Sequence, residues 1–340
     1  MKLIIQIPCL NEAQTLAVAV GALPRRVEGF DEVEWLVIDD GSTDETATLA
    51  RELGVDHVVS HPVNRGLAAA FMTGLSACLR LGADVIVNTD ADNQYEARDI
   101  PKLTAPIVNG SADMVIGGRP ISETEHFSWI KKRLQYLGSW AVRVASKTDV
   151  SDAPSGFRAI SRETAMRLNV FNPYTYTLET IIQAGLSNLR VASVPVRTNE
   201  DLRPSRLVKS ISSYVKRSLI TILRVFITYR PLFFFFWTGV LLAVPGLLIG
   251  ARFVYFYALG EGSGHIQSLI LSSLLLMLAA LAGMVGLIAD LTATNRKLLE
   301  RINQRLMERQ YPGGQVVGNS ALPTPHPSPV SMAGGREAQD

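Results

Sequence analysis

Two short acidic runs hold the densest chemistry in this 340-residue chain: Asp39-Asp40-Gly41-Ser42-Thr43-Asp44 and Asp90-Ala91-Asp92-Asn93-Gln94. Each follows an apolar run, Trp35 to Ile38 in the first case and Val85 to Thr89 in the second. A strand that delivers carboxylates and an amide into one loop concentrates charge that is costly to desolvate unless something cationic binds there. Oxygen donors of this kind suit Mg²⁺ or Mn²⁺, with water and phosphate oxygens completing the shell. By itself the first run is equally well an acidic turn capping a helix at Ser42 or Thr43. Two such loops on neighbouring strand ends point more strongly to a shared cation and phosphate site. Cys9 and Cys78 cannot build a disulfide framework and lack metal-ligand spacing, so both read as small core residues of a reducing compartment.

These loops need a scaffold that brings strand ends together. Apolar runs at Leu3 to Ile7, Trp35 to Ile38, His57 to Val59, Val85 to Thr89 and Met114 to Gly117 read as strands. Segments of helical period lie between them, about Glu12 to Ala22, Asp44 to Leu53, Gly66 to Leu81 and Asp99 to Val108. That alternation predicts an α/β fold with a mostly parallel sheet flanked by helices, whose ligands sit beyond the C-terminal strand ends. A second block, residues 119 to 202, mixes a predicted helix near Ile130 to Ser146 with loop and further helix, and ends in Val191 to Val196.

The back of the chain has a different character. Hydrophobic residues make up 47% and charged residues 19%, with a mean hydropathy of +0.18, which excludes a disordered polymer and suggests lipid-facing surface. The net charge of +2 hides an asymmetry: residues 1–202 carry 19 Lys/Arg against 25 Asp/Glu, and residues 203–340 carry 14 against 6. Pro231 to Ile249 and Ile266 to Ala289 contain no charged residue, and each is long enough to cross about 30 Å of hydrocarbon. They predict transmembrane helices over 231–257 and 266–291. The link between them, with Gly260-Glu261-Gly262-Ser263-Gly264, is poor in Lys/Arg, whereas both outer flanks are rich in them. The positive-inside rule then makes a hairpin with both termini cytoplasmic, and Arg252 near the outer end snorkels. Before the hairpin, 203–230 has apolar residues in a helical stripe accompanied by Arg206, Lys209, Lys216, Arg217, Arg224 and Arg230, the pattern of a basic amphipathic juxtamembrane helix. After it, 292–310 reads as a basic cytoplasmic helix, and 311–340, rich in Pro, Gly and Ser, as a disordered tail. Met1 to Pro8 is too short for a secretory apolar region, so residues 1–202 are expected to be a cytoplasmic domain of an integral membrane protein, most simply of a bacterial inner membrane.

With these residues in place, the sequence resembles the family 2 glycosyltransferases, whose nucleotide-sugar-binding fold is called GT-A. The resemblance rests on Ile7-Pro8-Cys9-Leu10-Asn11-Glu12, Asp39-Asp40-Gly41-Ser42-Thr43-Asp44, Asn64-Arg65-Gly66 and Asp90-Ala91-Asp92, and covers about the first 200 residues. Ser155-Gly156-Phe157-Arg158 after Asp152, the basic Arg203-Pro204-Ser205-Arg206-Leu207, and the C-terminal hairpin narrow it to the polyprenyl-phosphate type, similar to dolichyl-phosphate mannose synthases and undecaprenyl-phosphate sugar transferases. The resemblance implies metal-dependent inverting transfer of a sugar from a nucleotide sugar, of GDP-mannose or UDP-glucose type, to a polyprenyl or dolichyl phosphate at the cytoplasmic membrane face. It implies that Pro8, Glu12, Asp39, Asp40, Asp90, Ala91 and Asp92 bind the donor, with Asp92 and Gln94 ligating Mg²⁺ or Mn²⁺. Arg119, the basic trio Lys131, Lys132 and Arg133, Ser155, Arg203 and Arg206 would serve the acceptor phosphate and the diphosphate, with Asp92 and Arg119 the catalytic pair. Relatives usually carry Arg-x-Gly-x-Ser-Lys where this chain has the shorter Arg203-Pro204-Ser205-Arg206.

A lipid monophosphate with a second pKa of about 6 is largely a dianion at neutral pH, so the acceptor needs no dedicated base. Glu179 is therefore not assigned as catalytic. The alternative is a polysaccharide synthase or other membrane glycosyltransferase with a different acceptor, but such synthases usually add a Gln-x-x-Arg-Trp motif, and no Trp here follows an Arg. An aspartyl phosphotransferase would need an aspartate after the first strand, and a non-enzymatic nucleotide-binding scaffold would have no use for an intact Asp-Ala-Asp loop. The basic residues track the membrane rather than a nucleic acid, and a homo-oligomer is left open.

Overall fold

The computed structural model describes residues 1–119, 140, 143, 146, 148–170, 176–199, 220, 223–224, 227–260 and 262–310. Seven strands form one sheet: β1 (Lys2–Cys9), β2 (Glu32–Asp39), β3 (His57–Ser60), β4 (Val85–Asn88), β5 (Met114–Gly118), β6 (Arg158–Ser161) and β7 (Val191–Pro195). Their order is β3-β2-β1-β4-β6-β5-β7. All pairings are parallel except those of β6, which runs antiparallel to both β4 and β5.

Both faces of the sheet are covered, which explains why β1 and β4 are apolar at nearly every position. Successive β1 residues enter opposite cores, as a period of two requires. Ile4 joins Leu36, Ile38 and Ile86 beneath α3 (Leu67–Arg80), α5 (Arg162–Arg167) and α6 (Thr177–Leu186). Leu3, Ile5 and Ile7 join Val37 and Val87 beneath α1 (Leu16–Ala22), α2 (Thr46–Glu52) and α4 (Ile100–Val108).

The strand absent from the expectation is β6. Arg158-Ala159-Ile160-Ser161 is four residues long and opens on a charge, so neither length nor alternation marks it. Its direction matters most for function. Because β6 is antiparallel to β4, with Asn88 opposite Arg158, the residues entering β6 lie where β4 ends. Ile116 of β5 also faces Arg158. Thr89–Asp90, Ser155–Phe157 and Gly117–Arg119 therefore meet at one edge of the sheet.

Two further helices, α7 (Pro231–Ala258) and α8 (Ile266–Gln310), are long and apolar enough to cross a membrane, each with a mean hydropathy of 2.3 over its most apolar stretch. Little of those stretches is buried in protein, 6% and 11%, as lipid-facing helices require. Their contact is close where Ser272 Oγ donates to the Gly246 carbonyl at 2.7 Å. Residues 266–291 and 292–310, expected as separate helices, run as the one unbroken α8. Most of 203–230 and all of 311–340 lie outside the described residues.

Candidate active site

The loops after β1 and β2 are sewn together by side chains of both. Asn11 accepts the Thr43 N–H on Oδ1 at 2.8 Å, and its own N–H donates to Ser42 Oγ at 2.9 Å. The Glu12 N–H donates to Thr46 Oγ1 at 2.9 Å, while its carboxylate accepts the Thr15 hydroxyl at 2.8 Å. Asp39 accepts the Ser42 N–H at 3.0 Å. Asp40 is buried and holds the next loop: it accepts the N–H groups of Arg65 and Gly66 at 2.9 and 2.8 Å and pairs with His61 Nδ1 at 2.7 Å. Gly41 between these loops is obligatory, since its φ is +72° and a Cβ there would lie 2.5 Å from the Val63 carbonyl carbon. Asp39 and Asp40 thus shape the loops after β2 and β3, and Pro8 lies buried in β1 opposite Ile38.

The loop after β4 carries Asp90, Ala91, Asp92 and Gln94. Asp92 Oδ1 accepts the Gln94 N–H at 3.2 Å, and Asn93 takes a positive φ of 57° to close the turn. Asp90 lies against Gly156, whose place would put a Cβ 2.9 Å from both carboxylate oxygens. Burial, followed by the charge of Asp92, pushes the Asp90 pKa up to about 7, with Arg119 and Arg158 opposing and Glu12 adding to the rise. Burial and like charge both disfavour the ionised form of Asp90, and a nearby cation would relieve them.

The segment before β6 wraps this loop. Asn88 Nδ2 donates to the Gly156 carbonyl and to Tyr176 Oη, both at 2.9 Å, and Asn88 Oδ1 accepts from Gln6 at 2.9 Å. Tyr95 Oη accepts the Gly156 N–H at 3.1 Å, and its ring stacks on Phe157 with centroids 5.0 Å apart. Ser155 is fully buried, with Oγ 3.5 Å from Tyr95 Oη. Arg119, just past β5, is clamped by the buried Asp152 through Nε at 2.7 Å and Nη2 at 3.1 Å. Burial works against the Arg119 charge, but Tyr95 and Asp152 outweigh it and its pKa rises.

The structure thus gathers Glu12, Asp92, Arg119 and Arg158 within electrostatic reach of Asp90, with Gly156 against its carboxylate. Lys131, Lys132, Arg133, Arg203 and Arg206 lie outside the described residues. Sequence reasoning missed Gln6, Asn88, Tyr95, Tyr176 and Asn199. Asn199 straps the Asp90–Gln94 loop, donating from Nδ2 to the Asn93 carbonyl at 2.9 Å and from its backbone N–H to the Gln94 carbonyl at 2.9 Å. Gln6 and Asn88 carried a signal, being polar residues inside apolar strands, which must find partners when buried.

The donor set fits a divalent cation of the Mg²⁺ or Mn²⁺ class. No group of three or more His, Cys, Asp or Glu poised for a metal occurs among the described residues. Such ions are commonly held by one or two carboxylates plus water and substrate phosphates, and Asp92 and Gln94, the expected pair, lie together on one loop with Asp90 beside them. Cys9 adds no ligand: it is buried among these acids, and burial followed by Glu12 and Asp39 raises its thiol pKa.

Comparison with known proteins identifies the family. The family described as Glycosyl transferase family 2 matches residues 4–169. An uncharacterized protein of Methanocaldococcus jannaschii is 30% identical over 202 residues, 58% of this chain and 81% of that protein. The UDP-N-acetylglucosamine–dolichyl-phosphate N-acetylglucosaminyltransferase of Methanococcus voltae is 29% identical, over 56% of this chain and 83% of its own. The undecaprenyl-phosphate mannosyltransferase of Micrococcus luteus is 27% identical, over 58% and 83%. In three dimensions, glucosyl-3-phosphoglycerate synthase of Mycobacterium tuberculosis, solved with phosphoglyceric acid, superposes with a TM-score of 0.52 at 23% identity, covering 65% of this chain and 79% of that one; that likeness is one of fold. The chain belongs to glycosyl transferase family 2, a glycosyltransferase built on a GT-A-like sheet with two apolar C-terminal helices suited to a transmembrane hairpin.

Proposed function

We propose that the protein transfers a sugar from a nucleotide sugar to a polyprenyl phosphate at the cytoplasmic face of a membrane, in one displacement with inversion at the anomeric carbon. The observation that carries this reading is the clasp of the Asp90–Asp92 loop by Ser155–Arg158 beside the fixed guanidinium of Arg119, in a chain that also carries a membrane hairpin. The relatives from M. voltae and M. luteus are named for dolichyl-phosphate and undecaprenyl-phosphate transfer, which supports the acceptor class. They are named for different sugars, so both GDP-mannose and UDP-sugar donors enter the test.

Asp92 with Gln94 would hold the divalent cation, with Asp90 beside them facing the ribose and diphosphate; when bound, the cation offsets charge building on the departing nucleoside diphosphate. Glu12 and Asp40 border the nucleoside side of the cleft. Arg119 spends Nε and one Nη2 hydrogen on Asp152, which orients its remaining donors for the acceptor phosphate. The lipid phosphate dianion attacks without a base, and catalysis is positioning plus charge neutralisation. Lys132, Arg133, Arg203 and Arg206 are assigned to the acceptor and diphosphate on their charge, and Asn199 ties the segment leading to Arg203 onto the Asp90–Gln94 loop.

Membranes carrying the protein, given radiolabelled nucleotide sugars and polyprenyl phosphate with Mg²⁺ or Mn²⁺, are expected to yield one labelled glycolipid. No product from any donor would overturn the reading. Asp92→Asn is expected to lose transfer by about 100-fold or more with membrane insertion intact, and unimpaired transfer by that variant would remove Asp92 as a ligand.

A further inference from the structure

Glu179, set aside as a catalytic group, has a partner that sequence reasoning did not anticipate. The Tyr229 hydroxyl donates to Glu179 Oε1 at 3.0 Å. Tyr229 lies two residues before α7 begins at Pro231, and it packs against the apolar core beneath α3, α5 and α6. On its other side, the Arg296 guanidinium of α8 sits 4.3 Å from the ring centroid, within cation–π range. One tyrosine therefore contacts the catalytic domain through its hydroxyl and the returning membrane helix through its ring.

Glu179 stands in the first turn of α6, and the same turn is held from the other side by Arg158. That guanidinium is fully buried, donates to the Thr177 carbonyl at 3.2 Å and to Thr180 Oγ1 at 2.6 Å, and also reaches the Ser155 carbonyl. It makes no ion pair among the described residues, and its Nε has no partner there. Its location is thus set by the α6 turn and the Ser155 carbonyl. Ser155 leads into Gly156, which abuts Asp90.

We infer that Glu179, Tyr229 and Arg296 are positioning residues that register the membrane hairpin against the loop enclosing Asp90, acting through the α6 turn and Arg158. The acceptor is held in the bilayer and the donor on the sheet edge, so the height of the sheet edge above the hairpin decides whether they meet. Two long helices joined to a domain by a polar contact supply that registration, since the contact has a defined direction where apolar packing has little.

This inference rests on the proposed function for its kinetic arm only. The full chain in lipid nanodiscs is compared with Glu179→Gln and Tyr229→Phe by hydrogen–deuterium exchange and by kinetics. Both variants are expected to raise exchange in 177–186 and also in the segment entering β6, residues 155–158. A change confined to 177–186, or none, would overturn the inference. For kinetics, KM for long-chain polyprenyl phosphate in the bilayer is expected to rise about ten-fold, the worth of one hydrogen bond to a carboxylate. The donor KM, and turnover of a short water-soluble prenyl phosphate, are expected to hold. An equal loss of kcat on both acceptors would show a merely structural role and overturn it. If the parent transfers no sugar, the proposed function fails and the exchange result alone decides.

Discussion

At residue 156 the absence of one methyl group sets how closely two loops approach. Gly156 keeps its carbonyl on Asn88 and its N–H on Tyr95 while lying against Asp90. An alanine there would place Cβ 2.9 Å from both Asp90 carboxylate oxygens. A side-chain tip can swing away where backbone could not, so Gly156→Ala is expected to fold and to insert normally. The displaced carboxylate is the one proposed to face the ribose and diphosphate, and a misplacement of about 1 Å at such a site costs on the order of 100-fold in rate. Sugar transfer by Gly156→Ala should fall by about that factor with the thermal midpoint nearly unchanged. A midpoint drop that accounts for the lost rate would show instead that the glycine serves folding alone. The nearby Gln6–Asn88–Tyr176 chain makes the same point about local chemistry: each is a buried polar group satisfied by a residue distant in sequence.

Among elements, the parallel half of the sheet was plain from the alternation of apolar runs and helical periods, because β1 to β5 are apolar on both faces. The acidic loops were legible for the same reason, since each directly follows such a run. β6 was not, being four residues that begin with a buried arginine, and its antiparallel partners β4 and β5 lie far from it in sequence. The strap after β7 was equally hidden, because its partners lie about a hundred residues away. Asp99, buried at the start of α4, accepts the Arg197 N–H at 2.8 Å, pairs with its guanidinium through Nη2 at 2.8 Å, and meets Lys102 at 2.8 Å. Burial alone would raise the Asp99 pKa, but the bonds from Arg197 and Lys102 win and hold it well below the usual carboxylate range. A carboxylate with a depressed folded pKa stabilises fully above its unfolded value of about 3.9, and that contribution fades as pH falls toward the folded one. The thermal midpoint of the full chain in detergent should therefore drop on acidification below about pH 4. Asp99→Asn should start lower at neutral pH and drop less over the same interval. Parallel curves for the two proteins would show that Asp99 is not a source of the acid sensitivity.

For the whole molecule, α8 settles how the apolar and charged parts of the chain fit together. Its 45 residues span about 68 Å at 1.5 Å per residue, more than twice the roughly 30 Å of a hydrocarbon core. The half beyond the membrane carries Arg296, which sits on Tyr229 at the start of the other helix. Both outer flanks of the hairpin thus lie on the side of the catalytic domain, and the turn at Gly260, with its positive φ of 84°, lies at the opposite end. Charge supplies the direction that geometry leaves open: the flanks carry the Lys/Arg excess of the back half, so the catalytic domain should face the cytoplasm. The two native cysteines are buried, so one introduced thiol reports its own location. In intact cells expressing the full chain, Ser263→Cys is expected to react with a membrane-impermeant maleimide, whereas Glu52→Cys on α2 should react only after the membrane is permeabilised. The reverse pattern would place the sheet and its acidic loops outside the cell, away from cytoplasmic nucleotide sugars, and would overturn the cytoplasmic assignment together with the donor class built on it.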